Sequence, residues 1–339
     1  MKFLKVIAAL ALSVLVYSSC NNDLKILAPY KDITVVYGLL DQNDPVHYFR
    51  INKGFLGNGN AYTMAMQYDS IYYPVGNIHA YLQDSSTITN TIVDTFNLDT
   101  ITTIPLNPGT FSYPKQLLYY TTAKNKALNP NDYYNLVVVN TKTGKRITGS
   151  TNILPDLSFA YPTANFASIS TINITFDNQH PTTIAWNSSV NGRIYQMDIK
   201  FNFDEVTTAG DTSYYSLDWL FNPLTCSSLA GNVAMQYQFT AQGLMTLIAN
   251  SLQPKLGVVR HFQYLDVIFT TGSDDLNTYV LLSQPPTGIN QDVPSFTDLK
   301  NGVGLFTSRH VETLKKQLGA TDLDSLQYGS ITGNLGFQP

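Results

Sequence analysis

Charge is scarce in this sequence, and so is cysteine. Only 13% of the residues are Asp, Glu, Lys or Arg, against roughly 25% in an ordinary globular chain. The formal net charge is −4, and the longest Lys/Arg runs are pairs such as Lys145-Arg146 and Lys315-Lys316. Nucleic-acid binding needs clustered cations that displace counterions from phosphates, so that class is excluded. Adsorption to an anionic lipid surface by charge fails for the same reason. The two cysteines, Cys20 and Cys226, give no disulfide framework once Cys20 is consumed as described below. Leu224-Thr225-Cys226-Ser227-Ser228 offers Cys226 no cation, so it reads as a small buried hydrophobe rather than a thiolate.

Catalytic motifs are missing as well. Gly57-Asn58-Gly59 has no Gly-Lys-Ser/Thr after it and reads as a turn, not a phosphate cradle. Gly329-Ser330 lacks the spacing of a nucleophile elbow. His47, His79, His180, His261 and His310 are scattered singly, with no His-Glu-x-x-His, so no metal site is written locally. Asp274-Asp275 lacks recognised calcium-ligand spacing and reads as a solvated turn. Asp41-Gln42-Asn43-Asp44-Pro45 reads as a hairpin connection. The sequence thus assigns no catalytic residue, no metal ligand and no cofactor.

What is present begins at the N-terminus. Lys2 and Lys5 precede an apolar run, Val6 to Val16, broken only by Ser13. A spanning helix needs about 20 apolar residues, so this is the core of a signal peptide. Ser18-Ser19-Cys20 resembles the lipobox of bacterial lipoproteins, in which the cysteine sulfur carries a diacylglycerol. Tyr17 stands where that motif has an aliphatic residue, and the alternative is an ordinary secretory signal cut near Ser19. The reading is a signal peptide over 1–19, lipidation of Cys20 and a tether over 20–30. A single Asp23 follows the cysteine, which leaves both the periplasmic face of the outer membrane and the cell surface open.

The body is rich in aromatics, with 22 Tyr and 17 Phe, residues that suit a pleated sheet. Ile33, Val35, Tyr37 and Leu39 alternate along one strand face, and His47, Phe49 and Ile51 along the next. Further strands are expected at 78–83, 116–121 and 133–140, with a Thr143-Gly144 turn leading to 146–153. The clearest strand is Arg193–Asp204: Tyr195, Met197, Ile199, Phe201 and Phe203 share one face, and polar residues the other. Val233–Phe239, Val258–Thr270 and Tyr279–Leu282 add more. Helices are expected over 240–252, behind Thr240, and over 309–318, behind Ser308, with another turn at 321–326. Pro155 and Pro162 mark a boundary. The expected architecture is mostly β: two immunoglobulin-like β-sandwich domains, 31–155 and 156–339, with a few short helices in the C-terminal half.

Trp186 followed by Tyr195 resembles the early strands of a fibronectin type III domain. Taken whole, the chain resembles the large uncharacterised lipoprotein families of Bacteroidota. Val35-Val36-Tyr37-Gly38-Leu39-Leu40 with Arg50–Gly57, Tyr134–Val138 with Thr143-Gly144-Lys145, and Asn301–Phe306 carry the likeness. The resemblance implies location and fold and transfers no activity. Asp69-Ser70-Ile71, Asp99-Thr100-Ile101 and Asp324-Ser325-Leu326 resemble O-glycosylation acceptors of that phylum, at Ser70, Thr100 and Ser325. Three functional readings follow. The first is an envelope binding or interaction module that meets the membrane through Cys20 and partners an outer-membrane protein. The second is a glycan-binding lipoprotein for nutrient capture, suggested by Tyr68, Tyr72, Tyr73, Tyr119 and Tyr120, for which ordinary packing in a sandwich core is the alternative. The third is a hydrolase whose site assembles only in the fold.

Overall fold

The computed structural model describes residues 33–54, 60–284 and 296–339. The segments expected to be signal peptide (1–19) and tether (20–30), with Cys20, and the expected Asn58-Gly59 turn lie outside the described residues.

The protein is mostly β. The first half runs β1 (Ile33–Leu40), β2 (His47–Gly54), α1 (Ala61–Ala65), α2 (Tyr68–Ile71), β3 (Ile78–Ser86), β4 (Ile92–Asn97), β5 (Asp99–Ile101), β6 (Leu118–Thr121), β7 (Asp132–Asn140) and β8 (Arg146–Asn152). The second runs β9 (Ser158–Tyr161), β10 (Thr171–Ile172), β11 (Thr182–Asn187), β12 (Gly192–Thr207), β13 (Thr212–Leu220), β14 (Leu224–Thr225), β15 (Ala234–Phe239), α3 (Ala241–Ser251), β16 (Val258–Ser273), α4 (Asp274–Leu282), β17 (Val303–Leu318), α5 (Ala320–Tyr328) and β18 (Phe337–Gln338).

Among the described residues these strands form three sheets. One follows the order β13-β12-β16-β17-β1-β2-β6-β5, with β10, β14 and β18 attached to it. The others are β4-β3-β7-β8 and β15-β11-β9. Two hydrophobic cores form against the long sheet. The first holds Val36, Phe49, Ile51, Leu82, Leu136 and Val138, and with them Leu299 and Phe306 from far along the chain. The second packs Tyr195, Met197, Ile199, Phe201 and Phe203 of β12 against Trp186, Tyr237 and the helix residues Leu244 and Ile248. Trp186 stacks on Tyr237 at 5.5 Å and meets Phe269 edge-on at 5.4 Å.

β17 belongs to both cores. Residues 303–308 pair in parallel with β1, from Val35↔Val303 to Leu40↔Ser308. Residues 309–316 pair antiparallel with β16, from Gly272↔Arg309 to Leu265↔Lys316. Phe306 is the key on the first side. Its strand neighbour Gly38 carries no side chain, and a Cβ there would lie 2.6 Å from the Phe49 ring and 3.3 Å from the Phe306 ring. On the facing sheet, a Cβ at Gly149 would lie 2.6 Å from Leu299 and 3.1 Å from Phe306. Two glycines therefore make the slot that the Phe306 ring fills. Gly304 completes the fit: its φ is +121°, and a Cβ would fall 2.0 Å from the Val36 carbonyl oxygen. Asn301–Phe306 is thus a turn and the start of a buried strand.

The helix expected over 309–318 is corrected by this strand. Val311, Leu314 and Leu318 do fall at helical spacing, but the buried positions are His310, Leu314, Lys316 and Leu318, a period of two. Two polar residues on the buried face hid that period. Lys316 is fully buried because its ammonium donates to the carbonyls of Phe166 (2.5 Å), Ala167 (3.4 Å) and Ile169 (2.5 Å). Gly319, next after this strand, is the residue before α5. The strand expected at 279–282 is also corrected, since it lies in α4. Ser273 Oγ accepts from Leu276 N–H (3.2 Å), and Asp274 and Asp275 occupy the first turn, where acidic side chains favour the helix dipole.

Removing the Phe306 ring leaves a large void between the glycines. Phe306→Ala is expected to destabilise by about 3–5 kcal/mol, and Gly38→Ala by about 1–3 kcal/mol through overpacking. Urea unfolding of both variants checks this, and wild-type midpoints in both would remove the slot from the account.

Candidate binding face

The pairing registers place one group of side chains together on the solvent side of the long sheet. In β1 the inward residues are Val36, Gly38 and Leu40, so Val35, Tyr37 and Leu39 point outward. In β2 Phe49 and Ile51 point inward, so Tyr48 and Arg50 point outward. Tyr37 stands directly opposite Arg50, and Tyr48 opposite Tyr120. The apolar alternation of β1 therefore marks its exposed face, not its core face. Tyr37 is 38% exposed and Tyr48 43%.

These residues line a depression of about 360 Å³, together with Leu39, Asp44, Leu118 and Arg309. Its wall is fixed by ring contacts. Tyr37 meets Tyr279 of α4 edge-on at 6.1 Å, their hydroxyls 3.4 Å apart. Tyr48 leans on Tyr120 at 6.3 Å. Burial, and next the bond to Tyr279, push the Tyr37 phenol up to about 12, so it stays protonated and able to donate. The cations are weakly held. Arg50 donates to the neutral Gln116 at 3.4 Å. Arg309 Nη2 lies 3.9 Å from Asp44, and its buried Nε has no hydrogen-bond partner. Two guanidiniums and one carboxylate, Asp44, thus line the depression.

Other sites are less equipped. A groove of about 500 Å³ runs beside β9, β10 and β11, lined by Tyr161, Thr171, Thr175, Thr182 and Thr183. Its hydroxyls are spent internally: Thr182 accepts from Thr175 N–H (2.8 Å), and Thr183 donates to Pro181 O (3.3 Å). His180, at its rim, pairs with exposed Asp177 at 2.6 Å.

The residues singled out from sequence are mostly not together. Tyr72, Tyr73 and Tyr119 are buried in the first core, and Tyr68 packs against it; only Tyr120 reaches the face. Ser70 lies in α2, half-buried, with its hydroxyl toward Gln67 (3.4 Å). Thr100 is exposed on β5, at the end of the long sheet. Ser325 donates to Thr321 O at 2.8 Å within α5. Cys226 is buried, its thiol on Ser228 O. Among the described residues no three His, Cys, Asp or Glu converge on a metal position. Arg50, Tyr48, Tyr279 and Arg309 went unnoticed in the sequence. Tyr48 and Arg50 were readable as the polar phase of the His47-Phe49-Ile51 alternation, whereas Tyr279 and Arg309 arrive only through the fold.

His261, half-buried on β16, pairs with Asp204 at 2.8 Å, and a third histidine meets carboxylates in the interior. His310 is fully buried where β17 passes from one core to the other. Its Nδ1 lies 3.3 Å from Asp41 Oδ1, and Nε2 lies 3.4 Å from Asp156. Asp41 also accepts from the backbone N–H of Asn43 (3.0 Å) and Val311 (2.7 Å). Burial disfavours the imidazolium, but the bond and charge of Asp41, with the charges of Asp156 and Glu312, outweigh it and raise the pKa. Burial likewise opposes ionisation of Asp41, and the bonds from His310, Asn43 and Val311 outweigh it and lower the pKa. This is a tie between β17 and the β1–β2 turn, sealed from substrate.

The signs follow from linkage. Stability from Asp41 is present above a carboxylate pKa of about 3.9 and lost as pH falls through its lowered native value. Stability from protonated His310 is complete below about pH 6.5 and lost as pH rises through its raised native value. Urea midpoints of the wild type are expected to fall as pH rises from about 6.5 through that raised value, and those of His310→Gln to stay flatter over the same window. An unchanged pH profile in the variant would discard the tie.

Set against protein-family models and against curated proteins, the chain gives no match.

Proposed function

We propose that this chain is a lipid-anchored binding module of the bacterial cell envelope, tethered through Cys20 and engaging its ligand or partner through the outward face of β1, β2 and β6. The observation that carries the reading is the Tyr37-Tyr48-Arg50-Arg309 depression. Aromatic rings held by neighbouring rings lose little freedom on binding, and guanidiniums without strong partners have donors to offer. A binding role also suits the chemistry of the rest of the molecule. His310, between its carboxylates, is inaccessible, and the pairs His180–Asp177 and His261–Asp204 have no nucleophile bonded to the imidazole among the described contacts.

The tether and the face are tested separately. Cys20→Ser is expected to move the protein from the membrane fraction to the soluble fraction and to abolish labelling by a fatty-acid analogue; retention of label in the variant would remove the anchor. For the face, tagged wild-type protein and Tyr48→Ala/Arg50→Ala are compared in capture from gently solubilised envelopes and on a polysaccharide panel. Both side chains are exposed, so the double variant is expected to keep its melting temperature and lose whatever the wild type retains. Equal retention by both proteins would take the binding role away from this face.

A further inference from the structure

We propose that the depression on β1 and β2 takes a carboxylate-bearing sugar, so that its ligand is an acidic glycan of the uronate type. This rests on the reading of that surface as the binding face. Four observations carry it.

The first is the alternation of ring and cation. Tyr37 and Arg50 are direct cross-strand neighbours, which puts their Cβ atoms about 5 Å apart. Tyr48 is two residues from Arg50 on the same face, about 7 Å along the strand. An aromatic ring and a guanidinium therefore stand side by side within the width of one sugar unit. A pyranose offers an apolar face for the ring and, in a uronate, an equatorial carboxylate at its edge for the cation.

The second is the state of the cations. Arg50 has one long bond to a neutral amide, and the Arg309 guanidinium has only a 3.9 Å contact with Asp44. A guanidinium is built to hold a carboxylate with two parallel donors, and neither of these two is engaged in that way by the protein. Asp44 neutralises part of this charge, so the depression suits one or two carboxylates rather than a dense polyanion.

The third is contrast with the rest of the chain. The net charge is −4 and only 20 of the 339 residues are Lys or Arg, so two arginines around one depression are not a general property of the surface. The fourth is the polar supply for sugar hydroxyls. The Tyr37 hydroxyl, on a residue that lines the depression, meets that of Tyr279 beside it.

The test is calorimetric titration of the full-length protein with oligomers of galacturonate, glucuronate and mannuronate, with the methyl ester of whichever binds, and with an oligoglutamate peptide. One uronate is expected to bind and to weaken on esterification, on raising the salt concentration, and in Arg50→Gln and Arg309→Gln. Loss of a charge-assisted contact sets the scale at roughly tenfold or more per arginine. Tyr48→Ala is expected to weaken acid and ester alike, the signature of stacking. No binding of any uronate, or equal binding of acid and ester, overturns the inference. Stronger binding of oligoglutamate that depends on Arg50 also overturns it, in favour of an acidic peptide, while leaving the face as a binding surface. Loss of envelope or polysaccharide capture in Tyr48→Ala/Arg50→Ala without any uronate binding separates the two failures in the same way.

Discussion

Phe306 in its slot between Gly38 and Gly149 fixes where β17 lies, and much else follows from that placement. A ring inserted between two glycines cannot slide by one residue without leaving its slot and bringing Leu305 or Thr307, of a different shape, into it. Gly304 adds a second restraint, since only a residue without a side chain can pass the Val36 carbonyl. With residues 303–308 set in this way, the same 16-residue strand must present residues 309–316 to β16. The long sheet therefore continues through both cores as one hydrogen-bonded structure. The depression is a product of that continuity, because Arg309 comes from the second half of the chain and Tyr37, Tyr48 and Arg50 from the first.

The interior of this strand is more polar than its position would suggest. His310 and Lys316 are fully buried on it, and each is answered by fixed partners: Asp41 for the imidazole and three backbone carbonyls for the ammonium. Elsewhere Arg260 is buried with Glu205, which accepts from two of its guanidinium nitrogens at 3.0 and 2.7 Å. Such groups are costly to desolvate and add little net stability. They do penalise every arrangement in which the partner is missing. In a sheet where strands from distant parts of the chain must find one register, that penalty discriminates among pairings more sharply than interchangeable apolar contacts do.

The fold was legible wherever one face of a strand was uniformly apolar. β12 is the clearest case, because all five residues of one face are large and buried. The period was lost on β17, where His310 and Lys316 occupy core positions, and on 279–282, where the Ser273 cap was the stronger signal. The site was half legible. Alternation in β1 and β2 was visible, but sequence gives no way to know which phase faces water when both contain apolar residues. Here Gly38 occupies the inner phase of β1 and tyrosine the outer, the reverse of what hydrophobicity alone suggests. Tyr279 and Arg309 were beyond reach for a simpler reason: their neighbours across the depression are more than 200 residues away.

The pairing of residue 35 with residue 303 also sets an order of events in time. A chain leaving the ribosome presents β1, β2 and β3 long before β17 exists. Until then the slot at Gly38 and Gly149 stands empty, and the edge of β1 that β17 will occupy has open donors and acceptors. The first half of the protein made is thus the half that cannot finish alone. High contact order of this kind slows folding, and an open strand edge is a template for wrong pairing while it waits. The vulnerable interval in the life of this molecule is its synthesis, and it ends when the last long strand slides home.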